Sequence, residues 1–182
     1  LICGPPGAGK STFLRAFVSF NAQSNPLCLH VPISYDNILD SNLERDLIQS
    51  DKNEWKLSRA AIRSLIKCVA TNLSALNLIS DYKSLADHWS RQLNLENREL
   101  NQTLTSKFVN SLEAVHFLEG IKQSTSLLFM VDDLFYYESM RYEYYKMAVD
   151  CRASLYFSIF LESPGRSVVF ARFRGSSSRD QL

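Results

Sequence analysis

Apolar residues along this chain fall into two kinds of block. Short, nearly unbroken runs at Leu1 to Cys3, Leu27 to Ile33, Leu127 to Val131 and Leu155 to Leu161 have the length and content of buried strands. Between them lie longer stretches with apolar residues three and four apart. These predict helices over Thr12 to Phe20, Glu54 to Leu78, Lys107 to Ile121 and Glu138 to Asp150. In the second of these the spaced residues are Trp55, Leu57, Ala61, Leu65, Val69 and Leu73; in the last they are Met140, Tyr144 and Met147. Strands alternating with helices predict an α/β fold built on a parallel, doubly wound sheet flanked by helices.

Three stretches do not fit that rhythm. Residues 81 to 106 are polar and rich in Asn, Leu and charge, and predict either a helical insertion or a mobile connection. A parallel core strand usually takes about five or six residues. Leu1 to Cys3 is therefore expected to be the end of a first strand whose start, with any targeting peptide, is missing. Residues 165 to 182 are rich in Ser and Arg without an amphipathic pattern, and are read as a divergent, flexible tail after a domain covering 1 to 164.

Composition adds limits. A length of 182 residues suits one domain, and a formal net charge of +1 excludes a strongly basic nucleic-acid footprint over the whole chain, though not a local patch. Cys3, Cys28, Cys68 and Cys151 are scattered, with no C-x-x-C pair. They read as small apolar residues in a reducing compartment, with a cytoplasmic location expected, and not as a disulfide or zinc framework. No apolar run approaches the length of a membrane span, so no membrane partner is expected.

The chemistry is concentrated at Gly4 to Ser11, G-P-P-G-A-G-K-S, which fits G-x-x-x-x-G-K-[ST] in full. At ordinary residue frequencies that pattern arises by chance in roughly one chain in a few hundred of this length. Its context, strand before and helix after, is the one a phosphate-binding loop requires. In such a loop, backbone N–H groups form an anion nest and the helix N-terminus faces the phosphates. The nucleotide-binding residues predicted are Gly4, Pro5, Pro6, Gly7, Ala8, Gly9, Lys10, Ser11 and Thr12, with Lys10 reaching the β/γ-phosphates and Ser11 ligating Mg²⁺. The bound nucleotide is ATP or GTP, and the fold class is that of P-loop NTPases.

Acidic residues at strand ends narrow the reaction, because ligands of open α/β sheets bind beyond the carboxyl ends of the strands. Asp132 follows Leu-Phe-Met-Val and fits an acid that holds the Mg²⁺ hydration shell; the same position fits a helix N-cap. Asp133 fits a cap or a group behind the site. Asp36 fits a carboxylate that accepts the proton of an attacking hydroxyl, or a turn Asp before Ile38. Arg141 fits a phosphate or substrate contact, or a helix-surface pair with Glu138 or Glu143. The tyrosines Tyr136, Tyr137, Tyr142, Tyr144 and Tyr145 read chiefly as core, with base stacking as the alternative. Lys56, Arg59, Arg63 and Lys67 read chiefly as a solvated basic stripe, with RNA phosphate contact as the alternative. His30, His88 and His116 are isolated from one another and from any metal-site spacing.

Three segments together resemble the eukaryotic L-seryl-tRNA(Sec) kinases. They are LICGPPGAGKSTF from Leu1, the pair Ser34-Tyr35-Asp36 and Glu54-Trp55-Lys56-Leu57, and VDDLFYYESMRYEYYKMA from Val131, followed by FLESP. The resemblance covers about residues 1 to 164 and implies a P-loop kinase that uses ATP and Mg²⁺. Its reaction would be phosphorylation of the serine hydroxyl of seryl-tRNA(Sec), giving O-phosphoseryl-tRNA(Sec) for selenocysteine synthesis. On that resemblance Asp36, Lys10 and Arg141 are the catalytic candidates, and Ser11 and Asp132 the metal-side ones. Family members continue beyond the equivalent of Pro164 into an arginine-bearing lid and a tRNA-gripping part, which residues 165 to 182 do not resemble. The alternatives kept beside this reading are a small nucleotide or nucleoside kinase, a non-kinase ATP-binding tRNA-modification factor, and a truncated, inactive nucleotide-binding isoform.

Overall fold

The computed structural model describes every residue except 6, 51, 77–78, 80, 94–96, 134–136, 161–167 and 175–182. In chain order it forms β1 (Ile2–Cys3), α1 (Lys10–Ser24), β2 (Cys28–Ser34), α2 (Tyr35–Ile38), α3 (Ser41–Ser50), α4 (Lys52–Thr71) and α5 (Leu73–Leu76). There follow α6 (Tyr82–Gln92), α7 (Arg98–Glu113), α8 (Phe117–Gln123), β3 (Ser126–Asp132), α9 (Glu138–Asp150), β4 (Ser154–Phe160) and β5 (Val168–Arg174).

The strands make one sheet in the order β2-β3-β1-β4-β5. β2, β3, β1 and β4 run parallel, as their alternation with helices predicts. β5 departs from that pattern. It lies within the stretch read as a tail and pairs antiparallel with β4, Val168 opposite Phe160 and Arg174 opposite Ser154.

Helices lie on both faces. On one face α1 packs Leu14, with Phe13, Phe17 and Val18, against Ile2, Leu128 and Met130. On the other, Val31 and Ile33 of β2 and Val131 of β3, which alternates with Met130, join the larger core with Ile62, Leu65 and Val69 of α4, Leu104, Phe108 and Leu112 of α7, and Tyr144 of α9. The alternation follows from the two-residue period of a strand covered on both faces.

The predicted helix over 54 to 78 forms as α4 and then α5, with residues 77 and 78 outside the described residues. Leu57 does not join its buried stripe: it is 52% exposed, off the side of the line made by Ser58, Ala61, Ile62, Leu65 and Val69. The predicted helix over 107 to 121 is divided, because Val115 and His116 turn between α7 and α8 and His116 takes φ 50°. Of the two options for 81 to 106, the described residues take the helical one, through α6 and the first half of α7. Side chains fix both helix starts: Asp81 accepts from the Ser84 amide at 2.8 Å, and Asn97 from the Leu100 amide at 3.1 Å. Trp89 and Phe108 lock α6 onto α7, edge to face at 5.8 Å, with both side chains fully buried.

That contact carries α6. Trp89→Ala should cost about 3–5 kcal/mol of unfolding free energy. Ile48, 48% exposed on α3, is the control, and Ile48→Ala should stay within about 0.5 kcal/mol. Denaturant unfolding followed by circular dichroism measures both, and equal costs would contradict the packing described.

Candidate functional site

The sheet register assembles the site. Asp132, the last residue of β3, is opposite Ile2 of β1 on one side and Ser34 of β2 on the other. One line across the sheet therefore joins Ile2, Asp132 and Ser34. Gly4 and Asp36 each follow two residues beyond it, at the carboxyl ends of their strands, where open α/β sheets bind ligands. Lys10 and Ser11 return to the same edge as the first turn of α1.

The loop's glycines all take positive φ, Gly4 at 146°, Gly7 at 77° and Gly9 at 84°, backbone that an L side chain would strain. Of these, Gly7 and Gly9 sit in the turn itself. A Cβ at either would meet nothing within 4 Å, so both face open space and not packed protein. Gly9 caps α1 without a side-chain hydrogen bond, and no acidic residue lies in the first helical turn. The positive end of a 15-residue helix is thus left to an anion from outside. Lys10 Nζ folds back over the loop, donating to the carbonyl oxygens of Gly4 and Pro5 at 2.9 Å each. Pro6 lies outside the described residues.

Ser11 Oγ donates to Asp132 Oδ2 at 2.8 Å, joining the loop to the end of β3 across 121 positions of sequence. Asp132 is 4% exposed, and burial holds its carboxyl above the usual range. The Ser11 hydroxyl and Lys10 draw it down, and the charge of Asp36 pushes it up, which places both Lys10 and Asp36 within electrostatic reach. One hydroxyl and one carboxylate are too few to cage a metal. They suit Mg²⁺, which keeps several waters and takes its remaining ligands from substrate phosphates. No cluster of three or more His, Cys, Asp or Glu suited to a metal occurs among the described residues.

Arg141 is half-buried on α9, and its charge acts on the Cys3 thiol at the end of β1. Burial is the main influence on that thiol and pushes it up.

Asp133 is a finding that residue spacing did not predict in full. It is buried and paired with Arg59 of α4, whose guanidinium lies over the rings of Tyr35 and Trp55 at 4.6 and 5.0 Å. Asp133 is thus a group behind the site, one of its two expected roles. Arg59 corrects the chief reading of the basic stripe. It is 7% exposed, and Lys67 is paired with Asp150 at 2.6 Å, so the four cations do not form one solvated face. The tyrosines divide as well. Tyr144 is buried core, whereas Tyr137 and Tyr142 are exposed and Tyr136 lies outside the described residues.

A cavity of about 590 Å³ reaches the starts of β3 and β4. Its walls, which include Phe17, Leu127, Met147 and Leu155, are mainly apolar. Such walls offer little to a phosphate.

Comparison with known proteins agrees with the resemblance in the motifs. A Mus musculus L-seryl-tRNA(Sec) kinase is 31% identical over 170 residues, 90% of this chain and 45% of that protein. A Homo sapiens L-seryl-tRNA(Sec) kinase is 27% identical over 167 residues, 90% of this chain and 46% of that protein. The chain spans about half the length of the curated relatives it matches. No protein-family model and no solved structure matches it.

Behind the acids, the hydroxyls of Tyr35 and Tyr144 share a hydrogen bond of 2.7 Å in full burial. Burial pushes both phenols up, Tyr144 well above its ordinary value of 10.0. A raised folded-state value means that their contribution to stability is complete below about pH 10 and is lost as pH rises through the raised range. In an alkaline titration, ultraviolet absorbance should show these two phenols ionising together with the loss of circular dichroism. Tyr144→Phe should remove one of them and flatten the fall of stability with pH. Ionisation of every tyrosine before unfolding would contradict the pair's burial.

Proposed function

We propose that this chain forms the phosphate-handling part of an ATP- and Mg²⁺-dependent kinase whose acceptor is the serine hydroxyl of seryl-tRNA(Sec). The observation that carries the reading is the Ser11–Asp132 hydrogen bond within electrostatic reach of Lys10 and Asp36. It joins a phosphate-binding loop to a strand-end acid, with a second acid beside them. The two relatives named L-seryl-tRNA(Sec) kinase supply the acceptor.

The residues divide the work by their chemistry. The Gly4 to Thr12 backbone and the start of α1 hold the phosphates of ATP. Lys10 leaves its carbonyl partners for the β- and γ-phosphate oxygens and draws charge toward them as the bond breaks. Ser11 and Asp132 would hold Mg²⁺, which when bound neutralises charge on the phosphate oxygens. Asp36 orients the serine hydroxyl and takes its proton. The serine oxygen then bonds to the γ-phosphorus, the bond to the β–γ bridging oxygen breaks, and ADP leaves with that electron pair. Arg141, whose charge is felt at the end of β1, is the candidate contact for the transferring group or the acceptor. The product is O-phosphoseryl-tRNA(Sec), the form that selenocysteine synthesis would consume.

The test is transfer of labelled γ-phosphate from ATP to seryl-tRNA(Sec), with uncharged tRNA as the control. Label should appear as alkali-labile phosphoserine only on the acylated tRNA. Asp36→Asn should slow transfer about 10²–10⁴-fold with ATP affinity kept, and Lys10→Ala should weaken both. Measurable ATP binding with no transfer would sink the kinase reading and favour an ATP-binding factor.

A further inference from the structure

The two acids of the proposed reaction sit on different strands, and something must fix the distance between them. The register aligns the ends of β2 and β3 as far as Ser34 and Asp132. Beyond those residues the β2–β3 register ends, and the one ladder-like bond among the described residues is from the Asp133 amide to the Ile2 carbonyl at 3.5 Å, which ties Asp133 to β1 and leaves Tyr35 and Asp36 without a strand partner. Tyr35 begins a helix of four residues, and Asp133 leads into residues outside the description. One side chain spans both continuations. Arg59, from α4, pairs with the Asp133 carboxylate and lies over the ring of Tyr35.

Every other contact in this group makes the arrangement stiffer. Trp55 covers the guanidinium from a second side, and its own Nε1 donates to Glu44 Oε1 at 2.9 Å. Tyr35 donates toward the Arg59 carbonyl at 3.3 Å while sharing its hydroxyl with Tyr144. Tyr35 is therefore held by ring face and hydroxyl alike, both through α4 and α9. Asp36 is its direct neighbour, and Asp132 is the direct neighbour of Asp133. A planar guanidinium does this as an ammonium cannot. It offers a fork to the carboxylate and a flat face to the rings at the same time.

We propose that Arg59 is a positioning residue that holds Asp36 in place relative to Asp132. It contacts neither substrate nor metal and acts through Tyr35 on one side and Asp133 on the other. The inference rests on the kinase reading above for the meaning of the two acids, but not for the geometry that joins them.

Arg59→Lys is the informative variant, since it keeps a cation beside Asp133 and loses the stacked plane. Arg59→Met strands a buried carboxylate and is useful only if it folds. In the transfer assay, Arg59→Lys should keep the ATP KM of the parent and lower kcat about 10²-fold, the scale of a roughly 1 Å misplacement. Arg59→Lys combined with Asp36→Asn should be no slower than Asp36→Asn alone, because both changes remove the same event. Parental kcat in Arg59→Lys, or losses that multiply in the double variant, would overturn the proposal. If the parent itself transfers no phosphate, the kinase reading fails separately. Crystal structures of the parent and Arg59→Lys then decide: displacement of the Asp36 carboxyl from Asp132 by about 1 Å or more supports the positioning role, and an unchanged separation overturns it.

Discussion

The site depends on the register of three parallel strand ends. Ile2, Asp132 and Ser34 lie on one line because β1 and β2 both pair with β3 in these positions. A shift of one residue in either ladder would turn every side chain to the other face of the sheet. It would send Val31 and Ile33 out of the larger core and misplace Gly4 or Asp36 against Asp132. Core packing on both faces therefore enforces the geometry of the site. The apolar side chains of β2 and β3 do not touch a ligand, yet they decide which polar residues meet beyond the strand ends.

At that edge the protein accepts local cost. Gly7 and Gly9 hold a left-handed backbone in the loop, and the capping position of α1 makes no side-chain hydrogen bond. Asp132 is buried far enough for its charged form to be disfavoured, with a single hydroxyl directly bonded to it. Each of these features would be improved for stability by a residue that chemistry could not use: an L-residue turn, an Asp cap, an apolar strand end. Departures from local preference gathered in one place are expected where a phosphate and its metal are to be held.

Sequence periodicity was sufficient where one physical term dominates. The runs at Leu27 and Leu127 and the helix from Glu138 needed only the pattern of burial, and the loop carried its own spacing. What escaped was set by contacts distant in sequence. Arg59 reads as one of four surface cations at helical spacing, because nothing local announces that Asp133, 74 positions away, will meet it. Leu57 counts toward an apolar stripe until the neighbours of α4 decide which arc is covered. The helix at 82 to 92 and the first half of that at 98 to 113 lie in a polar stretch that leaves them open, since sparse apolar residues such as Leu85, Trp89, Leu100 and Leu104 anchor them in the core and two side-chain caps fix their starts. The strand at 168 to 174 is defined by its ladder with β4, a partner that local spacing does not announce.

The distribution of charge at the edge leads to the same chemistry by another path. Three carboxylates, Asp36, Asp132 and Asp133, gather near the ends of two strands. Asp133 is answered by Arg59, so its charge is spent on structure. Asp36 and Asp132 remain within each other's field, and Lys10 and Arg141 are among the cations whose influence reaches this end of the sheet. A triphosphate entering here brings more negative charge to a place already holding two acids. On the kinase reading, a cation carried by such a ligand would offset that repulsion, and Ser11 with Asp132 is the donor pair proposed to receive it. The acids that would repel free ATP are thus the ones that would select ATP carrying Mg²⁺. Keeping Asp133 neutralised from behind lets the edge hold Asp36 and Asp132 without a third charge adding to their mutual repulsion.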